Sequence, residues 1–429
     1  MSEKRTPQPL VPLFETLVGA DYVRPATTDD SVEGRQPLIV VAPGSAEEAG
    51  AVLRVANDAG LGVVPRGGAT KLGWGNRPHR ADVIISTQRL SQLRAHAHGD
   101  MTATVEAGMP FAALQRALAA HGQMLALDPA WPETATVGGV LATDASGPLR
   151  VRYGTLRDLV IGITVALPDG TLAKAGGNVV KNVAGYDLMK LWTGSLGTLG
   201  LATSVTLRLH PLPEISASLV VQAPTATAAA AFMLDTLNSP LTPTGLQLVS
   251  RAHGYDVFVR FAGIEASVVS QSRALVALAG AVDLAVAALD DEQMTLAWQA
   301  HAAIYAAPAG AIVGRISVLP TMIAATIDML NHLADRLRLR LNVVLQATGT
   351  GQLRFEGDNE AALAAALGVA RARITESGGS LVAHHVPAAL KERIDVWGVP
   401  GDALPLMRRV KEQFDPGGIM NDGRYIGGI

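Results

Sequence analysis

Lys181-Asn182-Val183-Ala184-Gly185-Tyr186-Asp187-Leu188-Met189-Lys190-Leu191-Trp192-Thr193-Gly194-Ser195-Leu196-Gly197-Thr198-Leu199-Gly200 is the stretch that decides the reading of this chain. It places a polar Asn-Val-Ala-Gly-Tyr turn, a Gly-Ser step and a Gly-Thr step directly before a strand-like run that begins at Leu201. Glycine serves where the backbone takes positive φ or comes close to something, and elsewhere it costs conformational entropy. So dense a set of glycines is economical around a ligand. The plain alternative is a helix followed by a glycine-rich hairpin.

Two further loops share this texture. Arg66-Gly67-Gly68-Ala69-Thr70-Lys71-Leu72-Gly73-Trp74-Gly75 follows a strand and offers successive glycine N–H groups beside two cations. Consecutive N–H groups in a turn form a concave anion site. The loop is neither a Walker A loop nor a Rossmann Gly-x-Gly-x-x-Gly at a strand–helix junction. Thr136-Val137-Gly138-Gly139-Val140-Leu141-Ala142-Thr143-Asp144-Ala145-Ser146-Gly147 adds small residues against which a flat ring or a pyrophosphate can lie, with hydroxyls from Thr136, Thr143 and Ser146. Arg152-Tyr153-Gly154 adds a cation, and Asp158 is an acceptor for an amide or a ribose hydroxyl. A large dinucleotide explains all three segments together.

Composition sets the frame. A chain of 429 residues suffices for two or three domains. Its 48% hydrophobic and 17% charged residues fit a packed chain, not a disordered one. A net charge of -3 gives no basic footprint for nucleic acid or an anionic membrane. The absence of cysteine excludes disulfides, thiolate-bound zinc, an iron–sulfur cluster on this chain and a cysteinyl-flavin link. Charges and prolines interrupt the first 18 residues, so no signal-peptide core is expected and the cytoplasm is the expected compartment.

Along the chain, 1–36 reads as an N-terminal extension without pattern, and order begins with the apolar strand 37–41. Ser45 and Glu48 form a capping box for a helix that Gly60 ends. Strands follow at 61–65, 83–85, 102–105, 160–167 and 201–209, and a helix at 111–120. Pro211 and Pro213 mark a boundary. Alanine-rich helical windows then alternate with strands over 214–380 in the order of a ferredoxin-like sheet, and no internal repeat is visible. These features indicate an α+β protein with parts at 37–213, 214–380 and 381–429.

These motifs resemble the FAD-binding domain of the vanillyl-alcohol oxidase/p-cresol methylhydroxylase flavoprotein superfamily. The match runs through Pro65-Arg66-Gly67-Gly68, Ala135-Thr136-Val137-Gly138-Gly139, Thr143-Asp144-Ala145-Ser146-Gly147, Arg152-Tyr153-Gly154, Gly185-Tyr186-Asp187-Leu188 and Gly194–Gly200, and it closes with Phe414-Asp415-Pro416 and Asn421-Asp422-Gly423-Arg424. Within the superfamily, 181–188 is similar to the glycolate oxidase and D-lactate dehydrogenase branch. The resemblance implies a two-subdomain PCMH-type FAD domain, a ferredoxin-like α/β cap and a C-terminal segment that returns to the FAD domain. It implies that Pro65, Arg66, Gly67, Gly68, Ala69, Thr70 and Lys71 wrap the pyrophosphate. Thr136, Val137, Gly138, Gly139, Thr143, Ala145, Ser146 and Gly147 would line the diphosphate and flavin. Arg152, Tyr153, Gly154 and Asp158 would continue the pocket, Gly200 and Leu201 would cover it, and Asn421 and Arg424 would close it. With no cysteine, and no histidine at 65–78 or 128–160, the FAD is expected to be non-covalent.

The chain departs from the branch where its metal is held. The branch's Gly-His-x-Gly-Asp-Gly-Asn-x-His stretch is matched by 346–355, with Ala347 and Arg354 where the histidines stand. Neither is a metal ligand, so no metal is expected. His385 stands at the place of the base, His384 replaces the glutamate ligand, and Leu196 replaces another glutamate of the glycine run. Oxidising a 2-hydroxy acid removes a hydroxyl proton and a hydride, work normally shared by a base and a Lewis acid. The resemblance therefore implies an FAD-carrying subunit of a glycolate oxidase complex. It would act beside a catalytic FAD subunit and an iron–sulfur subunit, at the inner face of the cytoplasmic membrane through those partners. The alternatives are a self-sufficient 2-hydroxy acid dehydrogenase using His385, and a flavin-free scaffold.

Overall fold

A computed structural model describes residues 11–177, 186–306, 308 and 310–429. Lys181 to Gly185, the start of the deciding stretch, lie outside the described residues. The chain forms two units: 1–145 with 155–211 and 399–429, and 146–154 with 212–398.

In the first unit, strands β1 (Val23–Pro25), β2 (Ile39–Val41), β3 (Val63–Arg66) and β4 (Val83–Ser86) form a sheet in the order β1-β2-β4-β3. The β2–β4 and β3–β4 pairs are parallel. A parallel strand is buried on both faces, which is why β2 and β4 read as continuous apolar runs. Ile39, Val41, Val63, Val83 and Ile85 face one core, whereas Val40, Val64 and Ile84 face another. Helix Ala46–Asp58 starts at Ser45, whose hydroxyl accepts from the Glu48 N–H at 3.1 Å. Its Ala49, Val52, Leu53 and Ala56 lie in the first of these cores.

The expected N-terminal extension is part of this unit. Helix Val11–Val18 buries Phe14 and Val18 in the same core, and β1 pairs antiparallel with β2. A short apolar helix and a three-residue strand were too brief to show as periodicity.

A second sheet is antiparallel, built from β5 (Leu93–Ala97), β6 (Thr102–Glu106), β8 (Val160–Ala166), β9 (Leu172–Gly176) and β10 (Leu201–Arg208) in the order β5-β6-β10-β8-β9. The short strands β7 (Gln123–Met124) and β11 (His210–Pro211) pair beside it. The chain's last segment is sewn into this unit. The Val63 N–H donates to Ile419 O at 2.7 Å, and the Asn421 N–H donates to Val63 O at 2.9 Å. Lys411 Nζ, nearly buried, contacts Asp415 Oδ2 at 2.5 Å and donates to the carbonyls of Thr198 and Met420.

The second unit holds one eight-stranded sheet. Its strands are β12 (Ile215–Ala223), β13 (Gly245–Ser250), β14 (Tyr255–Gly263), β15 (Ala285–Ala288), β16 (Ala311–Ser317), β17 (Arg340–Gln346), β18 (Thr350–Glu356) and β19 (Ser380–His385), in the order β15-β12-β14-β13-β17-β18-β16-β19. This is two consecutive strand–helix–strand–strand–helix–strand halves joined by the β13–β17 pair. The expected ferredoxin-like arrangement is present twice, and the repeat that the sequence hides is plain in the topology. Helices Ala226–Asn238, Glu265–Gly280, Ile323–Leu337 and Glu360–Glu376 cover one face over a core that includes Phe232, Phe261 and Phe355. Alternation along the strands sends Val313 and Val344 to the opposite face, with Ile304 and Tyr305 at the end of helix Asp291–Ala303.

Two boundaries move relative to expectation. Residues 146–154 group with the second unit, where Val151 packs on its core. Residues 381–398 also stay there, because β19 pairs with β16 and Arg371 donates to the carbonyls of Leu381, Asp395 and Val396. Only 399–429 returns to the first unit.

Candidate functional site

The glycine segments of the first unit converge on two clefts of about 80 Å³ each that share Arg66, Gly67, Thr136, Gly139 and Leu196. One continues to Gly138, Gly200 and Leu201; the other continues through Gly68, Ala69, Thr70 and Lys71 to Thr143, Asn421 and Arg424. Sequence expectation attached Gly67 and Gly68 directly to the ligand. The structure gives a different first cause. A Cβ on Gly68 would lie 1.7 Å from Thr134 O, and one on Gly67 would lie 2.2 Å from Thr136 Oγ1. These glycines let two loops of the protein meet, and the meeting shapes the cleft.

Thr136 caps helix Val137–Thr143 by accepting from the Gly139 N–H at 3.2 Å, and Thr143 Oγ1 donates to Gly139 O at 2.7 Å. Val137 and Ala145 turn into the core and do not line either cleft. Ala69, Leu196 and Asn421 all take positive φ (58°, 52° and 46°) and all line the cleft. Side chains in this region cost on the order of 1 kcal/mol or more each and tend to mark functional sites.

The charged groups divide by what already holds them. Arg66 Nη1 is 2.6 Å from Asp30 Oδ1, and Arg24 grips the same carboxylate at 2.7 and 2.8 Å. The Arg24 guanidinium above all, then Arg66 and Thr27, hold the Asp30 carboxyl far below its usual range against the pull of burial. Sequence reading missed Asp30, although Thr27 and Asp30 have the spacing of the capping box they form. Arg424 donates to the carbonyls of Leu72 and Trp74 and so pins the loop, and burial lowers its pKa to about 10.

Lys71 differs from both. The residue is only 9% exposed, and its ammonium lies 3.4 Å from Thr70 Oγ1 and 5.9 and 5.5 Å from the rings of Trp74 and Trp131. Among the described residues no carboxylate pairs with it, and burial lowers its pKa to about 8. The N–H groups of Gly68, Ala69 and Thr70 likewise find no acceptor among the described residues. Asn421 donates from Nδ2 to Leu196 O, while its buried Oδ1 has no partner among the described residues. Among the described residues, a cleft with a cation lacking a carboxylate partner, a row of N–H donors and an orphan acceptor suits a polyanionic ligand with polar heterocycle edges.

Other expected site residues are used elsewhere. Asp158 Oδ2 accepts from the Thr155 N–H at 2.8 Å and closes a capping box, and Asp158 lines neither cleft. Ser146, Gly147, Arg152, Tyr153 and Gly154 group with the second unit, where Arg152 and Tyr153 lie in the short helix Arg150–Tyr153.

In the second unit, His384 is buried and His385 exposed, beside a register shift that interrupts the alternation of β19. His384 Nδ1 lies 2.9 Å from Tyr305 Oη, with the rings stacked at 6.1 Å. Burial pushes the Tyr305 phenol well up, so it stays protonated. Ala347 belongs to the hydrophobic core, and Arg354 is held by Glu356 Oε1 at 2.5 Å and by Ile304 O at 3.1 Å. The two positions expected to have lost metal ligands are thus an apolar side chain and a neutralised cation.

Residues 37–176 match the family described as FAD binding domain, and residues 214–425 match the one described as FAD linked oxidases, C-terminal domain. D-2-hydroxyglutarate dehydrogenase of Xanthomonas citri pv. viticola is 30% identical over 428 residues, covering 91% of this chain and 89% of that protein. The chain belongs to the FAD-linked oxidase family. This flavoprotein is also 37% identical over 213 residues to the mitochondrial D-lactate dehydrogenase [cytochrome] of Arabidopsis thaliana, spanning half of this chain and 37% of that protein. Glycolate oxidase subunit GlcD of Bacillus subtilis is 30% identical over 240 residues, 53% of this chain and 51% of that one. The fold is that of p-cresol methylhydroxylase: TM-score 0.77 at 13% identity, covering 97% of this chain and 96% of that one. FAD fits the donor set described above: its diphosphate suits Lys71 and the N–H groups of 68–70, and its ring edges suit Asn421.

Proposed function

We propose that this flavoprotein is an accessory, FAD-binding member of a glycolate oxidase complex and takes part in the oxidation of glycolate to glyoxylate. In this reading a catalytic FAD subunit and an iron–sulfur subunit are its partners. The observation that carries it is a contrast: the cofactor cleft keeps its unpartnered groups, whereas Arg354 is neutralised by Glu356 and Ala347 is core. Bound FAD supplies a two-electron acceptor able to pass electrons on singly. The chain's own part is to seat the diphosphate with Lys71 and the 68–70 amides, to offer Asn421 Oδ1 to a ring N–H, and to keep the loop shut through Arg424. No cysteine is available for a covalent link and no histidine lines the clefts, which supports non-covalent FAD. No helix among the described residues is long and apolar enough to cross a membrane, and in this reading attachment at the membrane's inner face runs through the partners.

A second reading, a self-sufficient D-2-hydroxy acid dehydrogenase, is favoured by one observation: the buried His384 imidazole is oriented by Tyr305. The base in that reading is His384 or its exposed neighbour His385. An anaerobic titration of the isolated flavoprotein with glycolate, D-lactate and D-2-hydroxyglutarate separates the two. The accessory reading expects flavin that stays oxidised with all three yet bleaches with dithionite. Bleaching by any one of them replaces it with the second reading.

A further inference from the structure

The first unit carries a group of side chains that flavin binding does not use. His96 lies on the edge strand β5, His98 opens the turn after it, and His121 lies in the turn between helix Phe111–Ala119 and β7. Their ring centroids are 4.1 Å (His96–His98), 3.9 Å (His98–His121) and 5.2 Å (His96–His121) apart. One ring nitrogen from each falls within 4.8 Å of the others. None of the three lines the clefts.

Three imidazoles rarely crowd together for packing alone, since any two that become protonated repel. The cluster is also braced from beneath. Gln123 is buried and donates from Nε2 to His98 O at 2.8 Å and to Met101 Sδ at 3.0 Å. That fixes the amide's orientation and turns Oε1 toward His96 Nε2 at 2.8 Å. An amide oxygen only accepts, so the His96 proton is on Nε2 and the Nδ1 lone pair is left for a ligand. A histidine whose second nitrogen is bonded to a buried acceptor is the usual arrangement around a bound metal.

We infer that His96, His98 and His121 form a surface site for a divalent transition-metal ion, with Gln123 as its positioning residue. The ligand class follows from the donor set. Three neutral imidazoles suit zinc, copper or nickel and offer nothing to magnesium or calcium, which want oxygen. Zinc–nitrogen bonds of about 2.0–2.1 Å in a tetrahedral shell put ligand nitrogens about 3.4 Å apart. The present spacing closes to that by ring rotation, which the exposed His98 and His121 can make. Water takes the fourth position. The ion would tie the edge strand β5 to the turn before β7, two segments otherwise linked through Gln123.

The test uses the full chain without a histidine tag, stripped with EDTA and titrated calorimetrically with zinc chloride. The expected result is one zinc per chain with micromolar or tighter affinity, no heat with magnesium, and a raised melting temperature with zinc. His98→Ala and His121→Ala each weaken binding by about tenfold or more, and Gln123→Leu weakens it by a similar factor. His253→Ala, an exposed histidine elsewhere, leaves it unchanged. Equal flavin retention and far-UV circular dichroism certify that each variant is folded. Zinc binding that survives both His98→Ala and His121→Ala, or no saturable zinc binding by the parent chain, overturns the site. Neither outcome bears on the flavin assignment.

Discussion

The cleft of the first unit and the β17–β19 region of the second began from comparable sequence signals, and they ended differently. In the cleft, among the described residues, Lys71 has no carboxylate partner, and the 68–70 amides and Asn421 Oδ1 have no hydrogen-bond partner. Around β18, the charged group is consumed internally: Arg354 commits its guanidinium to Glu356 and Ile304 O, and Glu356 also takes Arg340. Unsatisfied buried polar groups are costly, so a chain that keeps them gives up stability for a ligand.

Breaking each region in turn sharpens this contrast. Asp415→Ala should have the largest effect, because it strands the buried Lys411 ammonium and loosens the tail that carries Asn421. A lost partner in a buried pair costs about 3–5 kcal/mol, and urea unfolding should report it together with loss of flavin. Glu356→Ala, the corresponding break in the second unit, should cost about 1–3 kcal/mol and leave flavin retention intact. Flavin loss there would mean the two regions are not independent.

The glycines give the next test. Gly68→Ala should damage the fold itself, since its Cβ meets the Thr134 carbonyl. At Gly139 a Cβ meets only Thr136 Oγ1 at 3.2 Å, and the side chain enters the cleft. Gly139→Leu should therefore abolish flavin retention while its melting temperature stays close to that of the flavin-stripped parent, because leucine is the better helix former by roughly 0.5–1 kcal/mol. Unfolding of Gly139→Leu would remove the distinction between cradle and scaffold.

Lys71→Met should weaken FAD by about ten- to a hundredfold, the scale of one charge-assisted contact of about 1.5–3 kcal/mol. It should also change the pH profile. Burial lowers the Lys71 pKa from 10.5 to about 8 in the empty cleft, and an anionic ligand raises it again. Binding then takes up a proton above pH 8, so affinity is level below pH 8 and falls as pH rises toward 10.5. Fluorescence titration of Lys71→Met should lack the fall just above pH 8, below the range near 10 where Arg424 titrates. The smallest effect belongs to His385→Gln, an exposed substitution that should shift stability by less than about 0.5 kcal/mol and leave the flavin in place.

Much of this was legible in the sequence because cofactor loops announce themselves by residue type. The glycine runs, Lys71 and the Asn421–Arg424 tail could be named without coordinates. What the sequence concealed was function assigned by contact. Val137, Ala145 and Asp158 stand in the right segments, but the first two are buried in the core, Val137 from the helix and Ala145 from just beyond its cap, and the third closes a capping box. Asp30 contributes through a carboxylate that meets Arg66 across 36 positions, a pairing no local pattern carries. The twofold build of the second unit escaped notice because its halves share topology without sharing residues. His384 and His385 are neighbours in sequence, and a register shift at the end of β19 that no local pattern announces accompanies the burial of the first and the exposure of the second.

The Arg424 guanidinium bonds the carbonyl of Leu72 across 352 positions. At a translation rate of about 5–20 residues per second, roughly 20–70 s separate the synthesis of those two partners. Throughout that interval the loop that cradles the diphosphate exists without its latch, and Asn421 has not yet been made. If flavin needs that latch, its loading waits until the tail has been made, and a flavin seated in the cleft then reports a chain synthesised at least to Arg424.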